Sequence, residues 1–182
     1  MSGTSDMATE PELIEVLEQH RIDASKVAAW LRPQWGAAFD GQAQVPQLQG
    51  AQTHPTHHLA TNVGAYVLRK KPPGQLLPSA HAVEREFKVM RALQDSAVPV
   101  PRMLDLCEDA SIIGTPFFVM QHVPGRLMGS RFAQHGPVEQ RRAINDDLIR
   151  VLAELHRVDW RGAGLEGFGR PERYFERQMA RW

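Results

Sequence analysis

The chain has 182 residues, 42% of them hydrophobic and 23% charged, the composition of a folded globular protein. Its 21 basic and 21 acidic side chains cancel, which argues against nucleic acid as a main partner, because phosphate backbones need a basic face. No apolar run is long enough to span a bilayer, the acidic start lacks a signal or transit pattern, and the single cysteine, Cys107, excludes internal disulfides; a cytoplasmic, reducing setting without membrane partners is expected.

In chain order, residues 11–19 (PELIEVLEQ) read as a short helix with Pro11 in its first turn. A second helix follows Asp23 and is expected to stop at Pro33, and residues 36–46 read as a Gly/Ala/Gln-rich connector. From residue 47 the pattern turns strand-like, and Asn62 to Gly64 reads as the turn of a β-hairpin. Alternation along its second strand sets Tyr66 and Leu68 on one face and Val67 and Arg69 on the other, and Pro72-Pro73-Gly74 ends it.

Residues 79–94 (SAHAVEREFKVMRALQ) read as an amphipathic helix with Ser79 as N-cap and Val83, Phe87, Met90 and Leu93 as its buried stripe. At about 100° per residue, Glu86 lies roughly 45° from the centre of that stripe and Glu84 well over 100° away. Strands are expected at 103–107, with Cys107 as a small buried hydrophobe, and at 117–123, separated by a loop with Gly114 and Pro116. A long helix begins near Pro137 with a stripe of Ile144, Leu148, Val151, Leu152 and Leu155, and a last helix runs through ERYFERQMARW. The order of strands and helices is that of an α+β fold. His54, His57 and His58 have no carboxylate or cysteine at ligand spacing and read as solvent-exposed loop histidines rather than a metal site.

Kinase-type phosphoryl transfer needs a loop over the phosphates, a strand-borne cation to pair with them, and a helix-borne glutamate to hold that cation. LQGAQTHPT (48–56), Arg69 and Glu86 occur in that order. The segments YVLRKKPPG, LLPSAHAVEREFKVMRAL, VPVPRMLDLCED, IIGTPFFVM and LAELHRVD together resemble the aminoglycoside-phosphotransferase superfamily. The nearest branch is the phosphotransferase domain fused to acyl-CoA dehydrogenases in animals, with stand-alone bacterial relatives. The resemblance covers about residues 45–182 and implies a protein-kinase-like fold: residues 1–44 as a helical extension, 45–123 as an ATP-grasping lobe, and 124–182 as the start of a helical lobe. It implies ATP with Mg2+, and a small-molecule hydroxyl acceptor, hydroxyacyl-CoA in the branch named; an aminoglycoside or a choline-type alcohol is the alternative.

Residue by residue, Arg69 then matches the strand cation and Glu86 its holder, Gln121 and Val123 match the positions whose backbone meets adenine, and Gly50 and Thr53 belong to the covering loop. Lys70 or Lys71 could replace Arg69 if the strand parity slipped by one. Relatives resemble GGQSNPTY where this chain has GAQTHPTH, so Ala51 stiffens the loop and His57 replaces an aromatic ring.

HRVDW (156–160) and EGFG (166–169) imitate the H-R-D and D-F-G kinase motifs. The first lacks the asparagine about five residues beyond its aspartate, where Gly164 stands, and the second offers Glu166 for the metal-binding aspartate. No catalytic base or magnesium ligand is therefore assigned, the Mg2+ ligands being expected in a segment beyond these residues. The expectation is a phosphotransferase N-terminal portion, inactive alone, with the bare face of the 137–156 helix prone to self-association. The rival is a non-catalytic half-kinase that binds nucleotide or a partner.

Overall fold

The computed structural model of the protein describes residues 12–14, 16, 18–48, 55–72, 82–126, 128, 136–169 and 172–180. Strands occupy Leu13–Ile14 (β1), Ala43–Gln44 (β2), Gln47–Leu48 (β3), Thr56–Thr61 (β4), Gly64–Lys70 (β5), Met103–Cys107 (β6) and Phe117–Gln121 (β7). Helices occupy Ala24–Trp35 (α1), Val83–Leu93 (α2), Val138–Arg157 (α3) and Tyr174–Met179 (α4). The strands form one antiparallel sheet in the order β1-β3-β4-β5-β7-β6, with β2 also pairing β4.

The β4–β5 hairpin turns where the sequence places it. Gly64 takes φ 142, a backbone angle that favours glycine, and the Thr61 hydroxyl donates to its carbonyl at 2.9 Å. Asn62 fixes the turn to the chain before it, donating to the Ala38 carbonyl at 2.7 Å and accepting from the Asp40 N–H at 3.1 Å.

Alternation along the strands builds two cores, one on each face of the sheet. Leu59, Leu68, Phe117, Val119 and Cys107 pack with Phe39 and with Val27, Ala28 and Leu31 of α1. Met103 and Phe118 pack on the other face with Val83 of α2, and Phe87, Met90, Leu106 and Met120 surround them. The sheet is therefore sandwiched between α1 and α2. Burial of each large apolar side chain in these clusters stabilises the fold by about 1.5–3 kcal/mol.

Three expectations are corrected. Residues 11–19 are not a helix: Leu13 and Ile14 pair with Leu48 and Gln47 at the sheet edge, and only Glu18–His20 wind into a 3-10 turn. Helix α1 does not stop at Pro33. It is capped by Asp23, whose carboxylate accepts the Ser25 N–H at 3.0 Å, and it runs on to Trp35. Pro33 costs a bond only in the last turn, which Trp35 anchors by donating from Nε1 to Asp105 at 2.8 Å and stacking near Tyr66 and Phe39. The 36–46 connector contributes a 3-10 turn, Gly36–Ala38, and strand β2. Strands β1 and β2 thus join the sheet, and α1 packs on the core it shares with the later strands.

Helix α2 begins at Val83 with Ala82 as a cap that makes no side-chain bond; Ser79 lies outside the described residues. Helix α3 follows Pro137, and its apolar stripe is largely open: Ile144 is 37% exposed, Leu148 63%, Leu152 47% and Leu155 42%.

Candidate functional site

Strand β5 carries Arg69 to the α2 face of the sheet, between Thr56 of β4 and Phe118 of β7. Helix α2 lies across that face on Val83, Phe87 and Met90, which turns Glu86 inward. Arg69 Nη1 donates to Glu86 Oε1, and the two side chains keep 29% and 28% of their exposure. The Arg69 Nε is buried and has no hydrogen-bond partner among the described residues. A guanidinium held at one edge by a carboxylate keeps further N–H donors with which to meet a second anion.

The neighbouring cations, the alternatives to Arg69, are placed elsewhere. Lys71 lies 3.2 Å from the Glu84 carboxylate, a second strand-to-helix pair beside the first. Lys70 points to the opposite face, 4% exposed, and burial holds its ammonium below the ordinary lysine range. Strand parity therefore leaves Arg69 as the cation facing Glu86.

At the other end of the β5–β7 pair, Gln121 stands opposite Tyr66, three residues along β7 from the Arg69 partner Phe118, or roughly 10 Å at strand spacing. The Gln121 N–H donates to the Arg102 carbonyl at 2.8 Å and its side chain accepts from the Arg102 N–H at 3.2 Å, which fixes the end of β7 against the segment before β6. Val123 lies just past the strand and is 60% exposed. Gly50 and Thr53 lie outside the described residues.

His57 and His58 are not loop residues but part of β4. His58 sits opposite Val67, on the Arg69 face, with its ring 5.2 Å from that of His122 and nearly perpendicular to it. Burial, and then the His122 charge, push its pKa below the usual histidine value. The same alternation that placed Arg69 could have found His58. His57 is fully buried on the α1 face. Among the described residues no group of three or more His, Cys, Asp and Glu is placed to hold a metal ion.

The kinase-like decoys have other employment. Asp159 of HRVDW is exposed and caps its own turn, accepting the Arg161 N–H at 3.1 Å. Phe168 of EGFG lies under the Arg85 guanidinium, 4.0 Å from its carbon. No helix among the described residues is long and apolar enough to cross a membrane.

An antiparallel sheet whose strand-borne cation is held by a helix-borne glutamate defines an α+β, kinase-like fold. Residues 44–182 match the phosphotransferase enzyme family, APH, and the chain belongs to that family. It is 41% identical to rat (Rattus norvegicus) acyl-CoA dehydrogenase family member 11 over 180 residues, covering 97% of this chain and 23% of the relative. It is 38% identical to mouse (Mus musculus) acyl-CoA dehydrogenase family member 10 over 172 residues, covering 94% and 16%. The crystal structure of a Ralstonia eutropha JMP134 chain described as an aminoglycoside phosphotransferase superposes with a TM-score of 0.71 at 40% identity, covering 89% of this chain and 46% of that one. The chain thus spans under a quarter of these curated relatives and under half of the solved one.

Proposed function

We propose that this chain holds the nucleotide of a phosphotransferase that moves the γ-phosphoryl group of ATP to a small-molecule hydroxyl. The observation that carries the proposal is the half-buried Arg69–Glu86 pair with its unpartnered Arg69 Nε. In this reading Arg69 neutralises phosphate and Glu86 orients it. The Gln121 carbonyl and the Val123 N–H face the base, and His58 and Val67 line the sheet above it. The loop containing Gly50 and Thr53 covers the phosphates. Residues 45–123 form this lobe, and 124–182 begin the acceptor lobe. Magnesium, when bound with ATP, would screen phosphate charge.

The acceptor class that fits the relatives' names is an acyl-CoA bearing a hydroxyl; the solved chain's description supports an aminoglycoside as the rival. The 182 residues alone are proposed to bind without turnover, in the cytoplasm, where the free thiol of Cys107 stays reduced. Calorimetric titration of the chain with ATP, beside a phosphate-release assay, tests this: saturable one-site binding without release is the expected result, and absence of binding overturns it.

The open stripe of α3 is proposed to drive self-association when nothing covers it. Replacing Leu148 and Leu152 by glutamate should shift light-scattering mass towards the monomer without changing the circular dichroism; an unchanged mass distribution would refute it.

A further inference from the structure

The first turn of α2 has no capping side chain, since Ala82 makes none. Three consecutive residues fasten it instead. Glu84 pairs with Lys71 and Glu86 with Arg69, both to the end of the β5 hairpin. Arg85, between them, points away from the sheet and reaches 83 residues along the chain. Its Nη2 donates to the Phe168 carbonyl at 2.9 Å while its guanidinium covers the Phe168 ring at 4.0 Å.

The loop that presents Phe168 is a firm platform. Its own backbone bonds close it: Ala163 N–H to Asp159 at 2.9 Å, Leu165 N–H to Trp160 at 2.9 Å, and Phe168 N–H to Leu165 at 3.0 Å. Gly164 and Gly167 take φ 73 and 76 to make those turns, a conformation that side chains resist. The loop follows α3 directly. A continuous path therefore runs from α3 through Phe168 and Arg85 to the α2 turn that carries Glu86. A groove lies beside it, lined by Phe87, Lys88 and Arg91 of α2, by Leu106, and by Gly164 and Phe168 of the loop.

We infer that Phe168 and Arg85 form a latch by which the loop after α3 positions α2, and so keeps the Glu86 carboxylate on Arg69. Arg85 and Phe168 are positioning residues, not groups that touch the nucleotide, and the part of the inference that concerns affinity rests on the nucleotide-binding reading above. The D-F-G-like motif thus acts through its aromatic ring and carbonyl rather than by holding a metal. A paired hydrogen bond and a cation–π contact at an exposed position give the latch about a fivefold effect.

The test uses Phe168→Ala, Phe168→Leu, Arg85→Gln and Arg85→Lys in the whole chain, with Trp35→Phe on the opposite sheet face as a control for general loss of stability. Hydrogen exchange of the α2 amides, without nucleotide, should quicken about fivefold in Phe168→Ala and Arg85→Gln, less in the conservative variants and not in the control. The Phe168→Ala, Arg85→Gln double variant should exchange no faster than either single one. ADP affinity should fall in parallel. Unchanged α2 exchange, or exchange that merely follows the loss of thermal stability shared with Trp35→Phe, overturns the latch. ADP binding that stays intact while α2 loosens also overturns it as a positioning device. Failure of the unaltered chain to bind ADP would instead refute the nucleotide reading, and the exchange result would still decide whether the latch holds α2.

Discussion

Glu86→Ala is expected to weaken ATP binding by about tenfold to a hundredfold, the 1.5–3 kcal/mol of a hydrogen bond to a charged group. Two effects oppose each other in that variant. Removing a carboxylate beside Arg69 leaves its positive charge uncompensated, which by Coulomb attraction alone would tighten phosphate binding. Removing it also releases the guanidinium from the Glu86 edge, and a free arginine side chain must then be ordered by the ligand. The pair is half-buried, with side-chain exposures of 29% and 28%, so orientation is expected to win over bare charge. Glu86→Gln separates the two, because it keeps an acceptor oxygen at the same reach and drops the charge; it should fall between the parent and Glu86→Ala. Arg69→Lys keeps the charge and loses the fork, and should bind less tightly than the parent. Calorimetric titration decides: an unchanged or tighter Kd in Glu86→Ala would mean that Glu86 merely balances charge, and the assignment would fall.

The legibility of this pair in sequence had a simple cause. A strand period of two and a helix period of 3.6 each divide neighbours sharply, so Val67 and Arg69 separate from Leu68 and Lys70, and Glu86 separates from Glu84 by angle. Both separations survive in the structure, although Glu84 is not idle, since Lys71 reaches it. Where local pattern misled, a partner distant in sequence had decided the outcome. Residues 13 and 14 sit in a stretch with helical spacing but complete the edge of a sheet begun at Gln47–Leu48. Pro33 should end a helix, yet the Trp35 indole finds Asp105, 70 residues away, and pulls two more residues into it. His57 is polar and stands in a sequence beside Gly50 and Pro55, but its strand register points it into the core. The alternation that placed Arg69 was not extended across the hairpin to β4, where it would have sent His57 inward and His58 to the Arg69 face. The Arg85–Phe168 contact spans 83 residues and has no local signature at all.

His57 is expected to make the fold acid-sensitive. It is fully buried on the α1 face, where its ring nitrogens have no well-formed hydrogen bond and only the Val45 backbone, a weak contact that favours protonation, lies near them. Burial first, then the positive charge of Lys70, lowers its pKa from 6.5 to about 4, and His20 adds to the effect. The sign follows from linkage. The unfolded chain takes up a proton near the ordinary histidine value, whereas the folded chain refuses it until about pH 4. Between those values the unfolded state binds more protons, so stability is full above pH 6.5 and is lost as pH falls towards 4. At 1.36 kcal/mol per pKa unit the loss is about 3 kcal/mol, a large share of a typical domain's stability. His57→Phe keeps an aromatic ring of similar shape and removes both poorly satisfied ring nitrogens. It should raise stability at pH 7 by about 1–3 kcal/mol, the cost of unsatisfied buried polar groups. It should also abolish the proton uptake, so the gap between parent and variant widens as pH drops. Lys70→Met, by removing the strongest charge effect on His57, should raise the folded-state pKa, so that the loss still begins near pH 6.5 but ends sooner and is smaller. Urea denaturation at pH 7 and pH 5 measures all of this. Parallel losses in parent and His57→Phe would show that some other group carries the acid response, and that the buried imidazole is already satisfied in the folded protein.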